Sequence, residues 1–162
     1  MSQQVCMGAM LQCSFGLAPS TLIVLPTYPA PVPTPGATNP PLPLRPMVTN
    51  PPLPPMPLAT IADSQPVINV PPFGMCSSIA NPAVAAATTA ALGALTPMPC
   101  LPVPVSPWVP GPPTVLIGRD SPGPPMVLIG GVPALDGNAK LFCAWGGVIT
   151  ITSPGQFTVQ LP

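Results

Sequence analysis

Leu141-Phe142-Cys143-Ala144-Trp145-Gly146 repeats a pattern met at the other end of the chain, Leu11-Gln12-Cys13-Ser14-Phe15-Gly16. Both stretches read Leu-x-Cys-small-aromatic-Gly. The echo predicts that the two ends of the chain occupy related places in one fold. Strand-like sequence borders each copy. Val148-Ile149-Thr150-Ile151-Thr152 is a β-branched run, closed by the turn signature Ser153-Pro154-Gly155-Gln156, and Phe157 to Leu161 follows as a last short strand. Val5 to Cys13 reads as a strand broken at Gly8, Ser14 to Ser20 as a turn, and Thr21 to Leu25 as a short buried strand.

Between the two ends, proline punctuates everything. The segment 26–57 is too dense in proline for a helix or a central strand and reads as extended polyproline II. It carries one charge, Arg45, and interleaves Pro with Leu, Val and Met. That suits a stiff segment laid over a surface; a flexible linker or a ligand for SH3-like domains is the other reading. Leu58 to Ala62 and Val67 to Val70 resume strand character around the turn Asp63-Ser64-Gln65-Pro66. One helix is expected, about 82–93. Asn81 would cap it, Pro82 would open it and Gly93 would stop it. Its small, uncharged residues predict a helix buried or packed against a surface. Pro113 to Gly118 and Pro125 to Gly130 form a second internal repeat, expected as successive strands of a meander.

The chain has 162 residues, 33 of them proline and 14 glycine. Such a composition without period usually signals disorder. Disordered chains, however, are charged and poor in apolar residues, whereas this one is 47% hydrophobic and 4% charged. The sum reads as a single, mainly β domain spanning 1–162, with 26–57 as an extended insertion. Three cations cannot neutralise a phosphate backbone, so nucleic acid is excluded as a partner. With no histidine and three separated carboxylates, acid–base catalysis has no apparatus, and an enzyme is not expected. No Pro-free stretch is apolar and long enough for a stable membrane span. The opening Met1-Ser2-Gln3-Gln4 lacks the features of a signal peptide, which predicts synthesis in the cytoplasm. Net charge near zero promotes association, so much of the surface is expected to lie against a partner.

Five cysteines remain. Cys13, Cys76, Cys100 and Cys143 each stand beside Gly or Pro turns, which is how rigid loops present thiolates to a metal. They are the candidate ligands of a tetrahedral zinc site. The alternative is that they are small buried hydrophobes, the expected role for Cys6. Asp120, Asp136 and Lys140 read as turn residues, and Trp108 and Trp145 as core anchors.

In chain order, Gly8-Ala9-x-Leu11-x-Cys13-Ser14-Phe15-Gly16, Ile61-x-Asp63, Asn69-Val70-Pro71-Pro72-Phe73-Gly74-Met75-Cys76, Asn81-Pro82 and Pro97-x-Pro99-Cys100-x-Pro102 lead to Leu141-x-Cys143-x-Trp145-Gly146-Gly147 and Pro154-Gly155-Gln156. This succession resembles PAAR-like domains, over nearly the whole chain. The resemblance implies a small conical β-domain: the tip of a contractile injection system, such as type VI secretion or a phage tail-like particle. It implies a trimeric VgrG-type spike as partner, with one tip per trimer, and effector cargo as a further partner. It also implies assembly into the particle and delivery to or through a target envelope. A Pro-Ala-Ala-Arg signature is absent, and relatives that hold zinc use histidines with a cysteine. Here any such ion would fall to the four cysteines. A Pro-rich adaptor displaying polyproline II is the competing function.

Overall fold

The structure, a computed structural model, describes residues 2–27, 44–49, 51, 54–110 and 127–161. It is mainly β, with twelve short strands and one helix among those residues. The strands are β1 (Ser2–Gln3), β2 (Met10–Cys13), β3 (Ser20–Thr21), β4 (Met47–Val48), β5 (Met56–Pro57), β6 (Met75–Cys76), β7 (Met98–Pro99), β8 (Leu128–Ile129), β9 (Val132–Pro133), β10 (Lys140–Phe142), β11 (Val148–Ser153) and β12 (Gln160–Leu161), and the helix is α1 (Pro82–Ala90). The largest sheet runs β10-β11-β2-β3, every pair antiparallel. The two Leu-x-Cys copies, on β2 and β10, therefore flank the same strand β11, as the echo between the chain ends predicts.

The core is organised around a closed triangle of backbone. Val5 donates its N–H to Leu135 O at 2.9 Å, Leu135 donates to Ala59 O at 3.0 Å, and Ala59 donates to Val5 O at 2.9 Å. Each of the three is 0% exposed. Antiparallel bridges Gln4↔Asp136, Cys6↔Leu58 and Thr60↔Ala134 complete the three sides. The arrangement repeats outward. Met7 N–H donates to Pro57 O, Ile61 N–H to Pro133 O, and Gly137 N–H to Gln3 O. Three like turns follow, with Ala9, Asp63 and Ala139 donating back to Cys6, Thr60 and Asp136. Each side also carries an outer strand: β1 pairs β12, β5 pairs β4 and β9 pairs β8. Gln4, Leu58 and Ala134 donate to Val159, Pro46 and Val127 at matching places on these outer strands. A single chain thus builds a pseudo-threefold frame, and pairing satisfies the backbone groups that burial would otherwise strand.

Part of the Pro-rich segment belongs to this frame. Residues 44–48 lie against 56–58, and Arg45 is 4% exposed. Its guanidinium meets the buried Asp63 carboxylate through two bonds, Nη1–Oδ2 at 2.7 Å and Nη2–Oδ1 at 2.8 Å. A bidentate fork of this kind is short and geometrically specific. Residues 28–43 lie outside the described residues, as do the Pro113–Gly118 repeat, Arg119 and Asp120. The later copy contributes Val127 to Gly130, where β8 turns through Gly130-Gly131 into β9.

Two local expectations change. Val67 to Val70 is a tight loop instead of a strand. Val67, at φ 66, donates to Val70 O, while Asn69 Nδ2 reaches Ile23 O and its Oδ1 accepts from Gln65 N. The asparagine's local bonds compete with ladder formation. The helix begins as expected, with Asn81 Oδ1 accepting from Ala83 N at 3.0 Å. It ends earlier than 93, at Ala90. Leu92 takes the left-handed conformation at φ 55, and its N–H returns to Thr89 O while that of Gly93 returns to Thr88 O, a Schellman stop. Only Val84 of α1 is buried, so most of the helix faces outward. No helix among the described residues is long and apolar enough to cross a membrane.

Candidate functional site

The four cysteines singled out by their Gly and Pro neighbours are brought near enough to influence one another's ionisation. Cys13 closes β2, Cys76 closes β6, Cys100 follows β7 and Cys143 follows β10. All four are buried. Cys76 bridges Gly16, and Cys100 exchanges backbone bonds with Phe73 and Gly74. Gly147 stands between the other two: a Cβ there would lie 2.9 Å from Cys13 Sγ and 3.7 Å from Cys143 Cβ. Gly16 makes a similar close approach, since its Cβ would lie 2.6 Å from that of Phe73. Gly16 closes the first Leu-x-Cys-small-aromatic-Gly copy, whereas Gly147 lies one residue beyond Gly146, the last residue of the second.

The thiols sense one another. Burial raises the Cys13 pKa, with the Phe15 and Gly16 N–H groups pulling it back and the Cys143 and Cys76 charges pushing it up. Cys100 is pushed up to about 12, first by burial and then by Cys76 and Cys13. The donor chemistry fits a soft, thiolate-seeking ion. As they stand, no three Cys, Asp or Glu side chains among the described residues converge closely enough to form a preformed metal group.

Cys6 lies apart, 0% exposed beneath Pro154. Burial raises its pKa to about 11. In the unfolded chain the thiol ionises near ~8.5. Between those values the unfolded state sheds its proton while the folded state retains it, so stability falls as pH rises. We expect a loss of about 2 kcal/mol between pH ~9 and ~11. Urea titrations across that range should show the slope, and Cys6→Ala should reduce it.

The remaining sequence candidates have structural roles. Asp136 is buried and its Oδ1 accepts from Asn138 N at 2.7 Å, holding one of the three like turns. Trp108 is 1% exposed, with Nε1 donating to Asp63 O at 2.8 Å, whereas Trp145 is half-buried and donates to Leu101 O. Sequence reasoning missed two groups. One is the Arg45–Asp63 pair. The other is Gln156, 0% exposed, whose Nε2 donates to Gln4 O and Val159 O and whose Oε1 accepts from Thr158 N and Val159 N. A lone acid downstream of a lone base in an uncharged chain was the available signal for the first. An amide after Pro-Gly was the signal for the second.

The frame and the cysteine end define a small, mainly β domain organised for rigidity, with its described charges almost wholly internal. The chain belongs to the family described as Domain of unknown function (DUF4280), whose model matches residues 5–122 and 121–156. No curated protein and no solved structure matches it.

Proposed function

We propose that the chain is a tip protein, seated as a monomer on the end of a three-chain spike in a contractile injection apparatus. The observation that carries this reading is the pseudo-threefold frame. A symmetric trimer ends in three identical surfaces. One chain meets all three alike only if its own backbone repeats three times about an axis, as the Val5, Ala59 and Leu135 sides and their outer ribbons do. The order of PAAR-like motifs along the chain supports the same reading. The role is mechanical instead of catalytic: the tip concentrates the force of contraction on a small area of the target envelope.

The test is reconstitution with a purified trimeric spike. One chain per trimer is expected by light scattering. Met47→Asp and Leu128→Asp, at exposed positions on two of the three outer strands, should weaken the complex without unfolding the monomer. A stable free monomer that ignores the spike, or three copies per trimer, would overturn the reading.

The four-cysteine end belongs to the same proposal as a structural zinc centre, with Cys13, Cys76, Cys100 and Cys143 as ligands. Zinc there would tie together the ends of β2, β6, β7 and β10, which come from distant parts of the chain. Elemental analysis should find about one ion per chain, with Cys143→Ser losing it and lowering the melting temperature. Folded protein free of metal after expression in zinc-supplemented medium would remove the ion from the proposal.

A further inference from the structure

We infer that the cysteine end is a lipid-contacting surface, built to enter the hydrocarbon of a neutral bilayer. The inference goes beyond the tip reading and does not rest on it.

Apolar side chains are exposed there in a connected group. Pro102 is buried while Leu101, Val103 and Val105 point outward, at 56, 40 and 62% exposure. Phe142 is joined to this run by the Val105 N–H bond to Phe142 O, and Ala144 by its N–H bond to Val103 O. Phe15 Cδ2 lies 3.6 Å from a Cβ placed on Gly147, and the exposed Leu17 follows two residues after Phe15. Contiguous exposed apolar surface of this kind marks an interaction site.

Two observations favour lipid over a protein partner. First, the segments forming this end, 13–18, 73–80, 97–105 and 141–148, contain no charged residue; Lys140, exposed on the same face of β10 as Phe142, borders them, and its long stem can carry the ammonium out to the headgroups. Among the described residues Lys140 is the one exposed charge, because Arg45, Asp63 and Asp136 are buried. Protein interfaces carry a polar rim, whereas hydrocarbon penalises every charge that enters it. Second, backbone groups beneath the apolar side chains are paired within the chain. Leu17 N–H donates to Met75 O, Ser77 N–H to Phe15 O, Val103 N–H to Cys143 Sγ, Val105 N–H to Phe142 O, and Trp145 Nε1 to Leu101 O. Internal pairing is the condition that a bilayer interior imposes on backbone. With no basic cluster at this end, attraction to anionic headgroups has no part in it.

The experiment is flotation of the full-length chain with vesicles of phosphatidylcholine alone and of phosphatidylcholine with phosphatidylserine. Equal partition into both, at low and high salt alike, is expected. Leu101→Asp with Val103→Asp should lower partition by about tenfold or more. Leu17→Asp should do so independently, and Phe157→Asp, beside Gln156 on the frame, should leave it unchanged. Thermal melts confirm that each variant folds. No partition of the wild-type chain, partition only with the anionic lipid, or equal loss from Phe157→Asp would overturn the inference. Spike binding measured on the same variants keeps the two proposals apart: retained spike binding with no vesicle partition sinks this one alone.

Discussion

Asp63→Ala is expected to lower the unfolding free energy by about 3–5 kcal/mol, the cost of leaving one member of a buried ion pair alone. Asp63 Oδ2 accepts from Arg45 Nη1, from Thr60 N at 2.7 Å and from Thr60 Oγ1 at 3.1 Å, while its Oδ1 accepts from Arg45 Nη2. Alanine would leave a guanidinium at 4% exposure without its carboxylate and a frame N–H without its acceptor. Domains of this size have about 5–15 kcal/mol in total, so the variant stands near the edge of folding. Urea midpoints at constant slope are the measurement. The double replacement Arg45→Met with Asp63→Leu should recover most of the loss, because well-packed apolar groups commonly match or exceed a buried pair. A loss under about 1 kcal/mol for Asp63→Ala, the range of an exposed pair, would mean that the pair is solvated.

Gln156→Ala is expected to cost about 3 kcal/mol, from several buried backbone groups losing their partner together. The side chain ties Gln4, at one corner of the frame, to Thr158 and Val159 at the approach to β12. Glutamate at this position is the sharper test. It keeps the acceptor contacts to Thr158 and Val159 but removes both donors to Gln4 O and Val159 O. Alanine and glutamate should both raise hydrogen exchange in β1 and β12 more than in β10 and β11. Under the proposed tip role they should also weaken spike binding, since one of the three outer ribbons would loosen. Uniform exchange across all strands would show that Gln156 supports the whole core and not one side.

The sequence carried the ends of the fold more clearly than its middle. The Leu-x-Cys-small-aromatic-Gly echo located two strands that flank β11, and Asn81-Pro82 located the start of α1. The third side of the frame was illegible. Gln4-Val5-Cys6, Leu58-Ala59-Thr60 and Ala134-Leu135-Asp136 share no residue type at any position, because their equivalence lies in main-chain hydrogen bonds, which every non-proline residue can make. Val67 to Val70 misled for the opposite reason: its β-branched residues signal a strand, yet the Asn69 side chain fixes a loop. For the cysteines, local turns singled out four thiols that the fold brings near one another. Spacing along a chain says nothing of how closely their sulfurs approach.

Because the frame's three sides come from residues 4–6, 58–60 and 134–136, and β12 closes the first side from residues 160–161, the frame closes only after all of these widely separated segments have been synthesised. A stalled or clipped product has one or two sides and an open edge. That edge would be exposed to proteases and chaperones. Under the tip role proposed above, a spike would accept only products in which all three sides are in place.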